Sequence, residues 1–320
     1  MGRFIMKANH IAMQSKDKVF SIIKLGFLKY WQLYLLLIPA IVLTFIFKYI
    51  PMYGVQIAFR DYNAVDGFWK SKWIGWDHFR RFFSNYNSVR MIRNTVLISL
   101  YSLLWSFPVP IILSLFINSA RNRKFQRIVC TTIYAPYFIS LMVVCGMIMM
   151  FLSPNGGLIA SILQRLGAVP TNYLEDPSNF RSIYIASGIW QGSGWGCIIY
   201  LATLSTVDTS LHEAAKVDGA SAWMRMWHID VPTLIPVIVL NLIMSFGSLM
   251  NVGFEKAFLL SNDLNRPTSE IIATYVYRQG IERAAYSFST AVGLFNTTVN
   301  IILLIIVNRV AKKAAEISFI

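Results

Sequence analysis

The chain has 320 residues and a formal net charge of +14, from 29 Lys and Arg against 15 Asp and Glu. Hydrophobic residues make up 56% and charged residues 14%, with a mean hydropathy of +0.53, so the surplus of apolar side chains must face lipid rather than a soluble core. The cations sit in short loops beside apolar runs, where membrane retention and anionic headgroups account for them, which argues against nucleic acid as a partner.

Residues 1–30 read as a basic arm, with Arg3, Lys7, Lys16, Lys18, Lys24 and Lys29 against Asp17. The arm is not a cleavable signal, because the apolar run starts only near Trp31, is too long for an h-region and shows no small-residue cleavage site. Runs of about twenty apolar residues predict six spans, at 31–51, 92–117, 128–151, 182–206, 233–254 and 286–308. They lack the period-two alternation of barrel strands, so the expected fold is an all-α membrane bundle in one domain, 31–310, with a tail at 311–320.

The basic arm and the loop at 118–127, carrying Arg121, Arg123, Lys124 and Arg127, are expected on the cytoplasmic side. Six spans then put both termini there, along with Lys312, Lys313 and the loop 207–232. The outer loops fall near 52–88, 152–181 and 255–285. The first is aromatic and charged (Arg60-Asp61-Tyr62, Trp69, Trp73, Trp76) and is expected to be partly helical, as an interfacial anchor or a contact for a binding protein. The second opens on the turn-forming Ser153-Pro154-Asn155-Gly156-Gly157. In the third, Asn265-Arg266-Pro267-Thr268 is expected to terminate any helix, and Glu270 to Gly280 to form a short one.

Pro108 with Pro110, and Pro136, mark expected kinks in the second and third spans. Cys130, Cys145 and Cys197 fall in spans without metal or disulfide spacing and read as apolar fillers. His10, His78, His212 and His228 are scattered, no Ser/His/Asp set is discernible, and there is no Gly-x-x-x-x-Gly-Lys-Ser/Thr phosphate loop. Gly192-Ser193-Gly194-Trp195-Gly196 lies in an apolar run and reads as close helix packing or a local helix break. Amides at membrane depth should face the bundle interior. Trp190, Gln191, Trp195, Asn241, Asn251 and Asn296 are therefore candidates for a solute path, and interhelical hydrogen bonding and core packing are the other reading of each.

The polar stretch from Thr209 to Pro232 separates two apolar runs. Ser210 with Glu213 three residues later forms a capping-box pattern that predicts a helix from Leu211, with Gly219 as its stop. Ala214, Ala215 and Gly219 give that helix a small-residue surface suited to a groove on another protein. Glu213-Ala214-Ala215, Asp218-Gly219-Ala220, Trp227, Ile229 and Pro232 resemble the signature loop of ABC importer permeases, with Val231 where Leu is usual. The number and order of spans resemble the type I carbohydrate permeases related to the maltose permease. Within these, the chain is most similar to those importing oligosaccharides or polysaccharides such as alginate and pectin fragments. The segment leading into the second span, with Gly75, His78, Phe79 and Phe82 or Phe83, adds a weaker match.

The resemblance implies a type I permease bundle in a bacterial cytoplasmic membrane, pairing with a second homologous permease. It implies two cytosolic ATPase subunits that carry the ATP and Mg, so that this chain is not itself an enzyme and holds no cofactor. It also implies an extracytoplasmic solute-binding protein that delivers a saccharide to the outer loops. Glu213, Ala214, Ala215, Asp218, Gly219, Ala220 and Pro232 would then couple the ATPase to the spans. The cations of the outer loops would suit an acidic saccharide. The competing class, a secondary transporter or channel working alone, would need an ion-coupling carboxylate within a span, and Glu255 sits only at an edge.

Overall fold

The computed structural model describes residues 29–167, 169 and 171–315. The expected basic arm, apart from Lys29 and Tyr30, and the end of the tail at 316–320 lie outside the described residues. Two units divide the chain at Gln56–Ile57. The first holds α1 (Trp31–Thr44), which runs on through a π-turn at Phe45–Tyr49 ahead of Pro51. No side chain from Trp31 to Met52 is buried. A helix apolar on every face and exposed on every face has hydrocarbon as its fitting solvent.

The second unit opens with a two-stranded antiparallel ribbon, β1 (Arg60–Asp61) on β2 (Lys72–Trp73), with Arg60 opposite Trp73. Arg60 stitches this loop by donating to Ser71 O at 3.1 Å and lying against the Trp73 ring. The helix α2 (Asp77–Ser84) follows and buries His78 and Phe82.

The second span is one run, Tyr86–Ser119, built of α3 (Tyr86–Ser106) and α4 (Pro108–Ser119). Pro108 stands at the first position of α4, where proline is well tolerated, and the expected kink is a break between α3 and α4 at Phe107. The third span differs more. In place of one helix over 128–151 the chain forms α5 (Arg123–Tyr134), a 3₁₀ turn at Ala135–Phe138 and α6 (Leu141–Leu152), with the two helices bent by 96°. Pro136 cannot donate to the preceding turn and its ring clashes with the backbone there. Ser140 caps the new helix by accepting from Val143 N.

Among the described residues four helices are long and apolar enough to cross a membrane, Trp31–Phe59, Tyr86–Ser119, Ala222–Gly247 and Tyr286–Val310, and the bent pair makes a fifth. After α7 (Leu158–Arg165), the run expected as a span at 182–206 is α8 (Phe180–Leu204), which has the length, at 25 residues, but is too polar to count with them. Its serines, glycines and Gln191 are tolerated because it lies at the centre of the bundle, packed against α3, α4 and α5. A Cβ at Gly194 would strike the Ile133 carbonyl of α5, and one at Gly196 would come within 2.9 Å of Pro110 Cγ. The glycine-rich stretch is thus close packing without a helix break.

The fifth span begins and ends earlier than expected at 233–254. Ser221 caps a helical turn at Ala222–Arg225, a π-turn follows at Met226–Asp230, and α10 (Val231–Gly247) completes the run. Pro232 therefore sits within a continuous helical run, where the widened turn ahead of it accommodates the missing donor. After the stretch expected as the third outer loop, with α11 (Phe254–Leu260) and α12 (Ile272–Tyr277), the last span is α13 (Tyr286–Ala315). Asn265-Arg266-Pro267-Thr268 starts a single helical turn, Arg266–Ser269, instead of ending one, because Pro267 suits a first turn. Asn265 is fully buried and holds this corner by donating to Leu174 O at 2.7 Å and Leu260 O at 3.0 Å.

Candidate functional site: a solute cavity and an exposed loop helix

The helix of the signature loop is α9 (Thr209–Val217). It starts two residues before the expected Leu211, because Asp208 and not Ser210 is its cap, with Oδ1 accepting from Ser210 N at 2.9 Å. A carboxylate satisfies a free N–H and also faces the positive end of the helix dipole. That hydrogen bond holds the Asp208 carboxyl below its usual pKa. The stop is where the sequence places it. Gly219 adopts φ +80, Gly219 N donates to Lys216 O at 3.1 Å and Ala220 N to Ala215 O at 2.8 Å, a Schellman ending that favours glycine.

No residue of α9 is buried. Glu213, Ala214, Asp218 and Gly219 are exposed, as is Pro232 in the span beyond, while Ala215 and Ala220 are half-buried. Leu211, Val217, Trp223 and Trp227 add exposed apolar surface nearby, with the two indoles edge to face at 5.8 Å. Small exposed residues ringed by apolar ones form a surface fitted to close approach by another protein.

Between α3, α4, α8 and α10 lies a cavity of about 460 Å³, within the range of roughly 300–1,000 Å³ of small-molecule sites. Its wall carries Ser99, Ser102 and Ser106 from α3, the phenols of Tyr184 and Tyr200 from α8, and Asn241 and Ser245 from α10. Ser248 and Asn251 follow from the stretch after α10, and no charged residue lines it. Ser99 Oγ is buried and has no hydrogen-bond partner among the described residues. Hydroxyls and amides that both donate and accept, set among aromatic rings, match a polyhydroxylated solute.

The structure brings two of the six expected path residues to this cavity, Asn241 and Asn251. Asn296 stands behind it, donating from Nδ2 to Asn251 Oδ1 at 3.2 Å. Gln191 Nε2 donates to Ile139 O at 3.1 Å and so ties α8 to the broken third span. Trp195 stacks on Tyr137 with ring centroids 4.5 Å apart, and Trp190 is 47% exposed away from the cavity wall. The serines of α3 were missed because serine in a span is unremarkable on its own. Their spacing, with Ser99, Ser102 and Ser106 on one helical face, is the signal that could have found them.

Lys256 was missed as well. It is 6% exposed in α11, its Nζ donates to Tyr184 O at 2.7 Å and lies 4.7 Å from the Tyr184 ring centroid, and no Asp or Glu pairs with it among the described residues. Tyr184 thus has the cavity against it and a buried ammonium over its ring.

Residues 106–315 match the family described as binding-protein-dependent transport system inner membrane component. The chain is 44% identical over 281 residues to Protein LplB of Bacillus subtilis (strain 168), covering 88% of each. It is 41% identical over 284 residues to the polygalacturonan/rhamnogalacturonan transport system permease protein YteP of the same organism, covering 89% of this chain and 88% of that one. A crystal structure of a bacterial ABC transporter involved in the import of the acidic polysaccharide alginate contains a chain that superposes with a TM-score of 0.84 at 36% identity, covering 91% of this chain and 98% of that one. A chain of the alginate transporter in complex with an alginate pentasaccharide-bound periplasmic protein gives the same TM-score at 35% identity, with 92% and 98% covered.

Proposed function

Given that the chain belongs to the binding-protein-dependent transport system inner membrane components, we propose that it moves acidic oligosaccharides through the cavity between α3, α4, α8 and α10, as a permease subunit of an ABC importer. The observation that carries the solute class is the wall of hydroxyls and amides. The relatives named for polygalacturonan and alginate support a uronate-containing substrate. The buried ammonium of Lys256 supports it too, as a positive charge close to that wall.

In this reading α9 is the docking element for an ATPase subunit. Ala214, Ala215, Gly219 and Ala220 permit close approach, and Glu213 and Asp218 offer polar contacts. Pro232 acts from within the helical run above. The loop 207–232 and both termini lie in the cytoplasm, and ATP with Mg is bound by the two ATPase subunits. A second homologous permease completes the pathway, and a solute-binding protein delivers from the outer side. A cavity with no carboxylate on its wall fits ATP-driven switching better than ion coupling.

Reconstitution tests this. Proteoliposomes containing the permease pair, the ATPase and the binding protein should accumulate labelled trigalacturonate only with ATP inside. Accumulation by this chain alone, driven by a proton or sodium gradient, would overturn the reading.

A further inference from the structure

Nothing packs α9 in place by burial, since none of its residues is buried. Among the described residues, the side-chain tie from α9 to another helix is His212 Nε2, 3.2 Å from Asp230 Oδ1. Asp230 is the last residue of the π-turn at the head of α10 and is 2% exposed. Its Oδ1 also accepts from Asn118 Nδ2, at 3.5 Å, at the end of α4. Arg225, in the helical turn ahead of the π-turn, donates to Ala220 O at 3.5 Å, just past the end of α9.

A buried carboxylate holds its place only while its partners stay. Asp230 therefore joins three pieces of chain at one oxygen: α9 through His212, α4 through Asn118, and α10 through its own backbone. We propose that His212, Asp230 and Asn118 form a latch that makes the docking helix move as one body with the second and fifth spans, the two spans whose serines and amides line the solute cavity. His212 and Asp230 are positioning residues here. They transmit displacement between α9 and the cavity walls and touch neither solute nor ATP. The inference rests on α9 being the ATPase-docking element.

A latch that carries displacement between the docking helix and the cavity walls also carries the binding protein's signal inward, so a broken latch shows as lost stimulation of ATP hydrolysis from the outer side. The test uses the assembled transporter in proteoliposomes and measures, for each variant, how much ATPase stays bound and how strongly the binding protein stimulates hydrolysis. His212→Ala is expected to keep the ATPase bound and to lose stimulation by at least about five-fold, the low end of allosteric coupling. His212→Gln, whose amide N–H can reach Asp230, is expected to recover most of it. Unchanged stimulation in His212→Ala overturns the latch, as does a His212→Gln variant no better than alanine. Loss of the ATPase from His212→Ala also overturns it, by making His212 a docking contact. Gly219→Trp is the separate control: if that variant still binds ATPase and transports, the docking reading of α9 fails whatever His212 does.

Discussion

Asn300 Nδ2 of the last span donates to Asn251 Oδ1 across 3.0 Å, while Asn300 Oδ1 accepts from Met250 N at 2.8 Å. One buried amide of α13 thereby fixes two consecutive residues of the stretch after α10, and Asn251 is part of the cavity wall. Removing one partner of a buried hydrogen bond leaves the other unsatisfied at about 1–3 kcal/mol. Asn300→Ala should lower the stability of the assembled transporter by that order, and Asn251→Ala by less because its side chain reaches water. In a double-mutant cycle the two should couple by about 0.5–3 kcal/mol. Additive effects on thermal melting would show that the pair is incidental.

Cavity residues and packing residues should separate in paired measurements. Asn241→Ala and Ser102→Val should reduce trigalacturonate uptake with assembly intact, because each removes a polar side chain from the cavity wall. Trp195→Ala removes the stack on Tyr137, worth about 0.5–1.5 kcal/mol beyond area, and Gln191→Leu removes the bond to Ile139 O. Those two should lower melting temperature and yield while uptake per assembled complex stays normal. The reverse pattern would return the path to Gln191 and Trp195.

Lys256→Met replaces an ammonium of little exposure by an apolar chain of similar length. It removes a buried charge without an ionic partner among the described residues, and with it the cost of holding that charge out of water. The variant should melt at or above the parent temperature and lose uptake of trigalacturonate relative to a neutral oligosaccharide. A stabilised variant with unchanged preference would make the lysine structural only.

Gly219→Ala forces a side chain into positive φ at the end of α9; it should destabilise that turn by about 1 kcal/mol and weaken ATPase pull-down. At the other end, Asp208 has a folded pKa below its unfolded value. Its contribution is complete above about pH 4, where the unfolded carboxyl is ionised, and is lost only as pH falls through the lowered folded value. ATPase docking should therefore be flat from pH 5 to 8. A fall within that range that persists in Asp208→Asn would point to another group.

The parts legible in the sequence were those written in local pattern. The apolar runs at Trp31 and Tyr286 became helices near their expected bounds, and Gly219 ended the loop helix where glycine alone is comfortable. Cap choice failed locally: Asp208 precedes Ser210 and accepts from its N–H, which starts the helix two residues sooner, and a pattern starting at Ser210 overlooks it. The 96° break at Pro136 was legible as a kink but not in size, which depends on Ser140 starting a new helix. Lys256 and the latch at Asp230 were illegible because their partners lie far along the chain, at Tyr184, His212 and Asn118.

The π-turn at Met226–Asp230 has a further consequence for the cavity. A π-turn holds one residue more than an α-turn, and each residue of an α-helix advances about 100° around its axis. Deleting one residue there would restore an ordinary turn and swing every position beyond it by about that angle. Asn241 and Ser245 would leave the wall for another face of the span, and residues unfit for the solute would take their place. The register of the cavity wall is thus set at the base of the fifth span, beside Pro232 and Asp230, several turns away from the groups it aligns.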